Sequence, residues 1–229
     1  MEGRGYEKLV ALYLRLNGYF IVENFIVHPQ NRCLSQRTEV DVFGVRLPYQ
    51  AEKPGKTIMP NDPKLVQPSH NCVDVVFAEV KSRRRPRPNK SWRNEGVLEY
   101  VLRFVGFTPE DEELSIVAES LRKDGNAKSH DNKFCFKIVV FSCRQARSSN
   151  VRTITLDHVL RWIVDERFKH WAQVKTQREQ WDATTLQRYL LDALSLHTRF
   201  IPEDIKNWGQ KMTEAAQSAL MTLKGGEKK

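Results

Sequence analysis

The stretch Asp74-Val75-Val76-Phe77-Ala78-Glu79-Val80-Lys81 constrains the fold most. Its β-branched and aromatic residues suit a buried strand. The run ends in a carboxylate and an amine two residues apart, and side chains at i and i+2 of a strand share a face. Glu79 and Lys81 are therefore expected to project together from the end of that strand. The spacing alone is weak, because acid-x-Lys recurs at Asp62/Lys64, Asp131/Lys133, Asp204/Lys206 and Glu227/Lys229. Those sites lie in turn-rich, helical or tail sequence. Only Glu79/Lys81 closes an apolar run.

A second strand, Thr38 to Val45, has Asp41 between two valines. An acid inside a β-branched strand is disfavoured unless it faces water or a partner. Glu39 lies two residues away, hence on the expected face of Asp41. Upstream, Leu9, Val10, Leu12, Tyr13 and Leu16 fall on overlapping i, i+3, i+4 positions of a helix that Asn17-Gly18 ends. Glu7 stands near its start, where an acid is favoured by the helix dipole alone. Residues 19–27 read as a strand, and residues 28–37 as a polar loop.

Residues 47–71 carry five prolines and no clear periodicity, and read as a loop or insertion. After Lys81 comes Ser82-Arg83-Arg84-Arg85-Pro86-Arg87-Pro88-Asn89-Lys90, basic and broken by proline. Ser91 is placed to cap a helix reaching about Phe104, and Trp92 suits either an anchor for that helix, the simpler role, or a stacking contact with a base. A short helix is expected over 109–122, an apolar strand over 134–142 and a short strand over 153–155. Helical patterns then cover about 156–175, 177–197 and 203–223. Trp162, Trp171, Trp181 and Trp208 lie within them, and core packing is their default role.

The chain has 229 residues, 40% hydrophobic and 28% charged, enough for one sizeable core with an appendage. No apolar stretch is long enough to span a bilayer, and residues 1–5 lack a signal-peptide pattern. A cytoplasmic protein without membrane association is expected. The four cysteines, Cys33, Cys72, Cys135 and Cys143, make no C-x-x-C pair. In that compartment they are expected as thiols rather than disulfides, with Cys135 and Cys143 buried. The net charge of +9 favours a polyanion such as nucleic acid, or an anionic membrane surface.

The order helix, strand, strand, strand, helix, strand, with these acids, resembles the PD-(D/E)xK nuclease superfamily. That superfamily includes restriction-endonuclease-like enzymes and archaeal-type Holliday junction resolvases. The resemblance spans about residues 3–145. It rests on Gly3-Arg4-Gly5-Tyr6-Glu7 with the helix after it, on Glu39-Val40-Asp41-Val42, and on Glu79-Val80-Lys81. Val40 replaces the proline of the motif, the connection from Asp41 to Glu79 is long, and no Q-x-x-x-Y follows.

The resemblance implies an α/β, restriction-endonuclease-like core over 1–152, a mixed central sheet flanked by helices, with a helical C-terminal region over 153–229. It implies Mg²⁺-dependent hydrolysis of phosphodiester bonds, most simply in DNA, with Mn²⁺ able to substitute. Asp41, Glu79 and the Val80 carbonyl would hold the ion. Lys81 would orient or help deprotonate the attacking water, Glu7 would join the site, and Glu39 would support it from behind. Arg83, Arg84, Arg85, Arg87 and Lys90 would contact phosphates without reading sequence. A homodimer or a partner subunit would use the helical C-terminal region. Three other readings stand beside this one. Glu79/Lys81 is an exposed cross-strand ion pair of small consequence, the chain is a non-catalytic nucleic-acid-binding or scaffold subunit that keeps the fold, or it is a basic interaction module that joins a larger defence or repair complex through its helical C-terminal third.

Overall fold

The structure is a computed structural model, and it describes residues 3–27, 38–53, 58–66, 71–81, 86–146 and 150–168. The helices expected at 177–197 and 203–223, and the assembly role given to them, lie outside the described residues. So do Arg83, Arg84 and Arg85.

The chain is α/β, with a mixed sheet of six strands flanked by helices. Helix α1 (Gly3–Leu16) leads into β1 (Phe20–Val27), β2 (Thr38–Arg46) and β3 (Val73–Lys81), an antiparallel meander. After β3, a single 3-10 turn (Lys90–Arg93) precedes α2 (Val97–Val105) and α3 (Asp111–Asp124). β5 (Phe134–Ser142) then lies parallel to β3. The outer side of β5 is shared. The short β4 (Asn126–Lys128) pairs antiparallel with its first part, and β6 (Arg152–Thr155) pairs parallel with its last. α4 (Leu156–Arg161) follows and widens into a π-helical stretch, Trp162–Phe168.

Two hydrophobic layers sandwich the sheet. On one face α1 and α4 pack on Val42, Val76, Ala78, Val139 and Phe141. On the other, α2 and α3 pack on Phe43, Val75, Phe77, Phe136 and Ile138. Leu9, Leu14 and Leu16 of α1 are almost fully buried. Each such side chain contributes roughly 1.5–3 kcal/mol. That exceeds the few tenths by which ordinary residues differ in helix propensity, so sheet packing holds α1. The helix stops at Gly18 in the left-handed region (φ +83°), and Tyr19 N–H returns to Leu14 O at 3.1 Å. Tyr19 then lies so close to β2 that a Cβ on Gly44 would meet Val76 Cγ1 at 2.9 Å and Tyr19 Cδ1 at 3.3 Å.

The elements differ from expectation in four places. Ser91 starts no long helix: it lies in the 3-10 turn, and α2 begins after Gly96. β4 has no counterpart in the sequence reading, its three residues being too short for periodicity to register. β6 and α4 extend the same sheet and core across residue 153. Part of the proline-rich 47–71 segment is core, because Met59, Leu65 and Val66 are buried against α1. Prolines removed its periodicity without removing its apolar content. The thiol expectation also needs correction, since Cys72 and Cys135 form a disulfide across the starts of β3 and β5. Asp74 pairs with Cys135 in the β3–β5 register. Pairing of these two strands brings the cysteines together, which no spacing rule in the sequence could show. Cys143 is a half-buried thiol outside this bridge.

Candidate active site

Asp41 reaches the site through a break in the sheet. Phe43 and Val45 follow ordinary alternation, yet Val42 packs on the α1 side and Val40 on the α2 side. β1 changes faces at the matching position: Ile21 packs on the α1 side and Phe25 on the α2 side. Between them Asn24 is left-handed (φ +56°), which asparagine tolerates better than most residues. Asn24 and Asp41 are skipped in the β1–β2 register, and the β2–β3 register ends at Val42↔Ala78. β2 thus parts from β3 just where Glu79 begins. The Val80 N–H donates instead to Asp41 Oδ2, at 2.6 Å. The same break removes the simple alternation that put Glu39 on the face of Asp41, and Glu39 is exposed.

Glu79 and Lys81 leave β3 on one face, as i and i+2 require. Lys81 Nζ lies 2.8 Å from Glu79 Oε2. Glu79 is completely buried, whereas the Lys81 side chain keeps 20% of its exposure. The 3-10 turn encloses the carboxylate. The Asn89 N–H donates to Glu79 Oε2 at 2.8 Å, and the Trp92 indole N–H donates to Oε1. Lys81 also donates to Asn89 Oδ1 at 3.0 Å. Trp92 is buried beside Phe77, with ring centroids 6.0 Å apart. It is an anchor, as its position suggested. Its bond to Glu79 was not expected, although a buried indole N–H has to find an acceptor.

Both carboxylates are held above their ordinary range. For Asp41 burial is the main cause, partly offset by the Val80 N–H and the Lys81 charge. For Glu79 burial again leads, partly offset by Lys81, Trp92 and Asn89. Burial thus disfavours the charged form of both acids, a cost that a bound cation would offset.

Glu7 is half-buried on α1. The start of α1 reaches the same end of the sheet, since Cys143 Sγ, just past β5, donates to Tyr6 Oη at 3.8 Å. Glu7 belongs to the α1 layer, while Glu79 meets Trp92 in the opposite one. Arg87 and Lys90 are exposed beside the turn, as is Arg93.

The residues fit a hard divalent cation by donor chemistry. Two carboxylates and the Val80 carbonyl would offer oxygen donors, and Mg²⁺ commonly takes one or two carboxylates and keeps waters. Among the described residues no group of three or more His, Cys, Asp or Glu is placed to hold a metal ion.

A second acid–lysine pair stands at the other end of β3. Lys137 Nζ lies 2.6 Å from Asp74 Oδ2 and also donates to Leu65 O at 2.6 Å and to Tyr19 Oη at 3.0 Å. Tyr19 Oη donates to Asp74 Oδ2 at 2.5 Å. Burial lowers the Lys137 ammonium from its ordinary value, with Asp74 partly restoring it. Nearby, Asp62 is buried and accepts from Tyr13 Oη, while His158 Nε2 lies 2.6 Å away. Burial pushes Asp62 up, but the bonds from His158, Tyr13 and the Lys64 N–H outweigh it and hold it low. Sequence reading missed both clusters, because Asp62 and Asp74 gain their partners only through tertiary contacts.

No family model matches this chain, and no curated protein or solved structure matches it.

Proposed function

We propose that this chain is a metal-dependent nuclease of the restriction-endonuclease-like kind, acting on DNA. The observation that carries the reading is the convergence of Asp41, Glu79 and Lys81 where β2 parts from β3, with both carboxylates held up by burial. Carboxyls raised by burial beside a specific charge partner are candidates for a functional site.

Asp41, Glu79 and the Val80 carbonyl would hold the cation. Mg²⁺, or Mn²⁺ in its place, when bound lowers the pKa of a coordinated water and offsets phosphate charge. Lys81, fixed by Glu79 and Asn89 yet still partly exposed, orients the attacking water and stabilises the phosphate. Its ammonium is a compact donor suited to that role. Glu7 adds an acid at the same end of the sheet. Arg87, Lys90 and the arginines before them position the backbone of the duplex. A nucleic-acid substrate agrees with a cytoplasmic place of action. There the Cys72–Cys135 bridge has to persist against a reducing pool.

One observation favours a second reading, a nucleic-acid-binding subunit without catalysis. Glu79 is fully enclosed and both of its oxygens accept hydrogen bonds.

Supercoiled plasmid separates the two. The expected result is nicking or linearisation by wild type with Mg²⁺ or Mn²⁺, none with EDTA, and none by Lys81→Ala although it still binds DNA. Binding without cleavage by wild type, on linear and branched DNA as well, supports the second reading.

A further inference from the structure

We infer that the turn Asn89–Arg93 is a lid built on Glu79, whose N–H donors occupy the carboxylate that the proposed cation needs. This rests on the nuclease reading and concerns the control of that same site.

The geometry is specific. Glu79 has no exposure, and its two oxygens are shared among the Trp92 indole N–H, the Asn89 backbone N–H and the Lys81 ammonium. Hydrogen bonds to an ionised carboxylate are about twice as strong as neutral ones. A cation must take a Glu79 oxygen from at least one of these donors. The competition runs both ways, because a displaced Trp92 N–H is left buried without an acceptor unless the ring moves. The ring itself is buried beside Phe77, with centroids 6.0 Å apart. Asp41 differs, since it receives a single donor among the described residues and is only half-buried. The cation would therefore meet Asp41 first and gain Glu79 only as the turn yields.

The alternative role for the contact is purely structural, with Glu79 present to satisfy the indole. The two roles predict opposite effects on metal affinity. If the turn competes, removing a donor tightens binding; if it positions Glu79, removal weakens it.

The test is calorimetric titration of Mn²⁺ into the full chain. Trp92→Phe keeps an aromatic ring against Phe77 and removes the N–H. Asn89→Pro removes the second donor, together with the Oδ1 that accepts from Lys81, at a residue whose φ of −56° admits proline, and it serves if the first variant folds poorly. Each is expected to bind Mn²⁺ about tenfold more tightly than wild type, equivalent to about 1.4 kcal/mol. In wild type, Mn²⁺ should also change tryptophan fluorescence by a component missing from Trp92→Phe. Equal or weaker binding by the variants overturns the lid and leaves the nuclease reading standing. Absence of Mn²⁺ binding by all three proteins removes both.

Discussion

The two ends of β3 carry the same chemistry in opposite states. At its start, Asp74 meets Lys137 of the neighbouring strand, and Tyr19 and the Leu65 carbonyl complete the shell. At its end, Glu79 meets Lys81 of its own strand, and Asp41 stands near with one backbone donor. The first end has two acids on a closed network that reaches from α1 to the 58–66 segment through Tyr13 and Asp62. The second has two acids, one partly exposed lysine, and carboxyls held up in pKa. An acid–lysine pair thus identifies nothing by itself. What sets the second end apart is its second acid, half-buried Asp41 with one backbone donor, beside a lysine that keeps part of its exposure.

The closed end should be costly to disturb. Lys137→Ala leaves Asp74 buried beside Tyr19 without its cation, and removing one partner of a buried pair typically costs about 3–5 kcal/mol. Urea unfolding should show that loss. A cost under about 1 kcal/mol, the range of exposed pairs, would show that this end is as open as the other. Next in size is the disulfide at the same end. Cys72→Ala with Cys135→Ala, or reduction of the wild type, should lower stability by roughly 2–4 kcal/mol, read in the same titration.

The open end should respond with the opposite sign. In Asp41→Asn the amide oxygen still accepts from Val80 N–H, while the buried charge is gone. Unfolding at pH 7 should occur a few degrees higher, on the order of the shift given by 1 kcal/mol in a chain of this size. The pH dependence follows from a raised carboxylate. Ionisation of Asp41 costs nothing below its unfolded value near about pH 4, and the cost grows as pH rises toward the folded value. The advantage of Asp41→Asn should therefore vanish in acid. Asp62 runs the other way, because its folded value is lowered. Its contribution is present above about pH 4 and is lost as pH falls through the folded value. Asp62→Asn should then flatten the acid limb of the stability profile. The smallest effect belongs to Arg103→Ala on α2, whose partner Asp111 is highly exposed. It should change stability by less than about 0.5 kcal/mol.

Much of this was written in local pattern. The β3 run, the Glu79–Lys81 pairing, the helix ending at Gly18 and the strand at 134–142 follow from periodicity and turn chemistry, which are properties of neighbours in sequence. The Asn24–Asp41 break was not, because it needs two strands to change faces together. Nor was the enclosure of Glu79, which depends on Trp92 folding back across a proline-broken segment. Lys137–Asp74 and Cys72–Cys135 depend on β5 lying beside β3, a parallel pairing that arises only once α2, α3 and β4 have returned the chain. Asp41 and Glu79 were found through a resemblance and their strand settings. The donors that decide their state came only with the tertiary structure.

The most direct test is thermal unfolding of wild type and Asp41→Asn at pH 7, each with and without Mn²⁺. A ligand bound only by the folded state stabilises it in proportion to the logarithm of its concentration over Kd. Asp41→Asn should unfold at the higher temperature without metal, and only the wild type should gain from Mn²⁺. If Asp41→Asn is the less stable protein and Mn²⁺ shifts neither, the acids at the end of β3 are structural and the proposed site is contradicted.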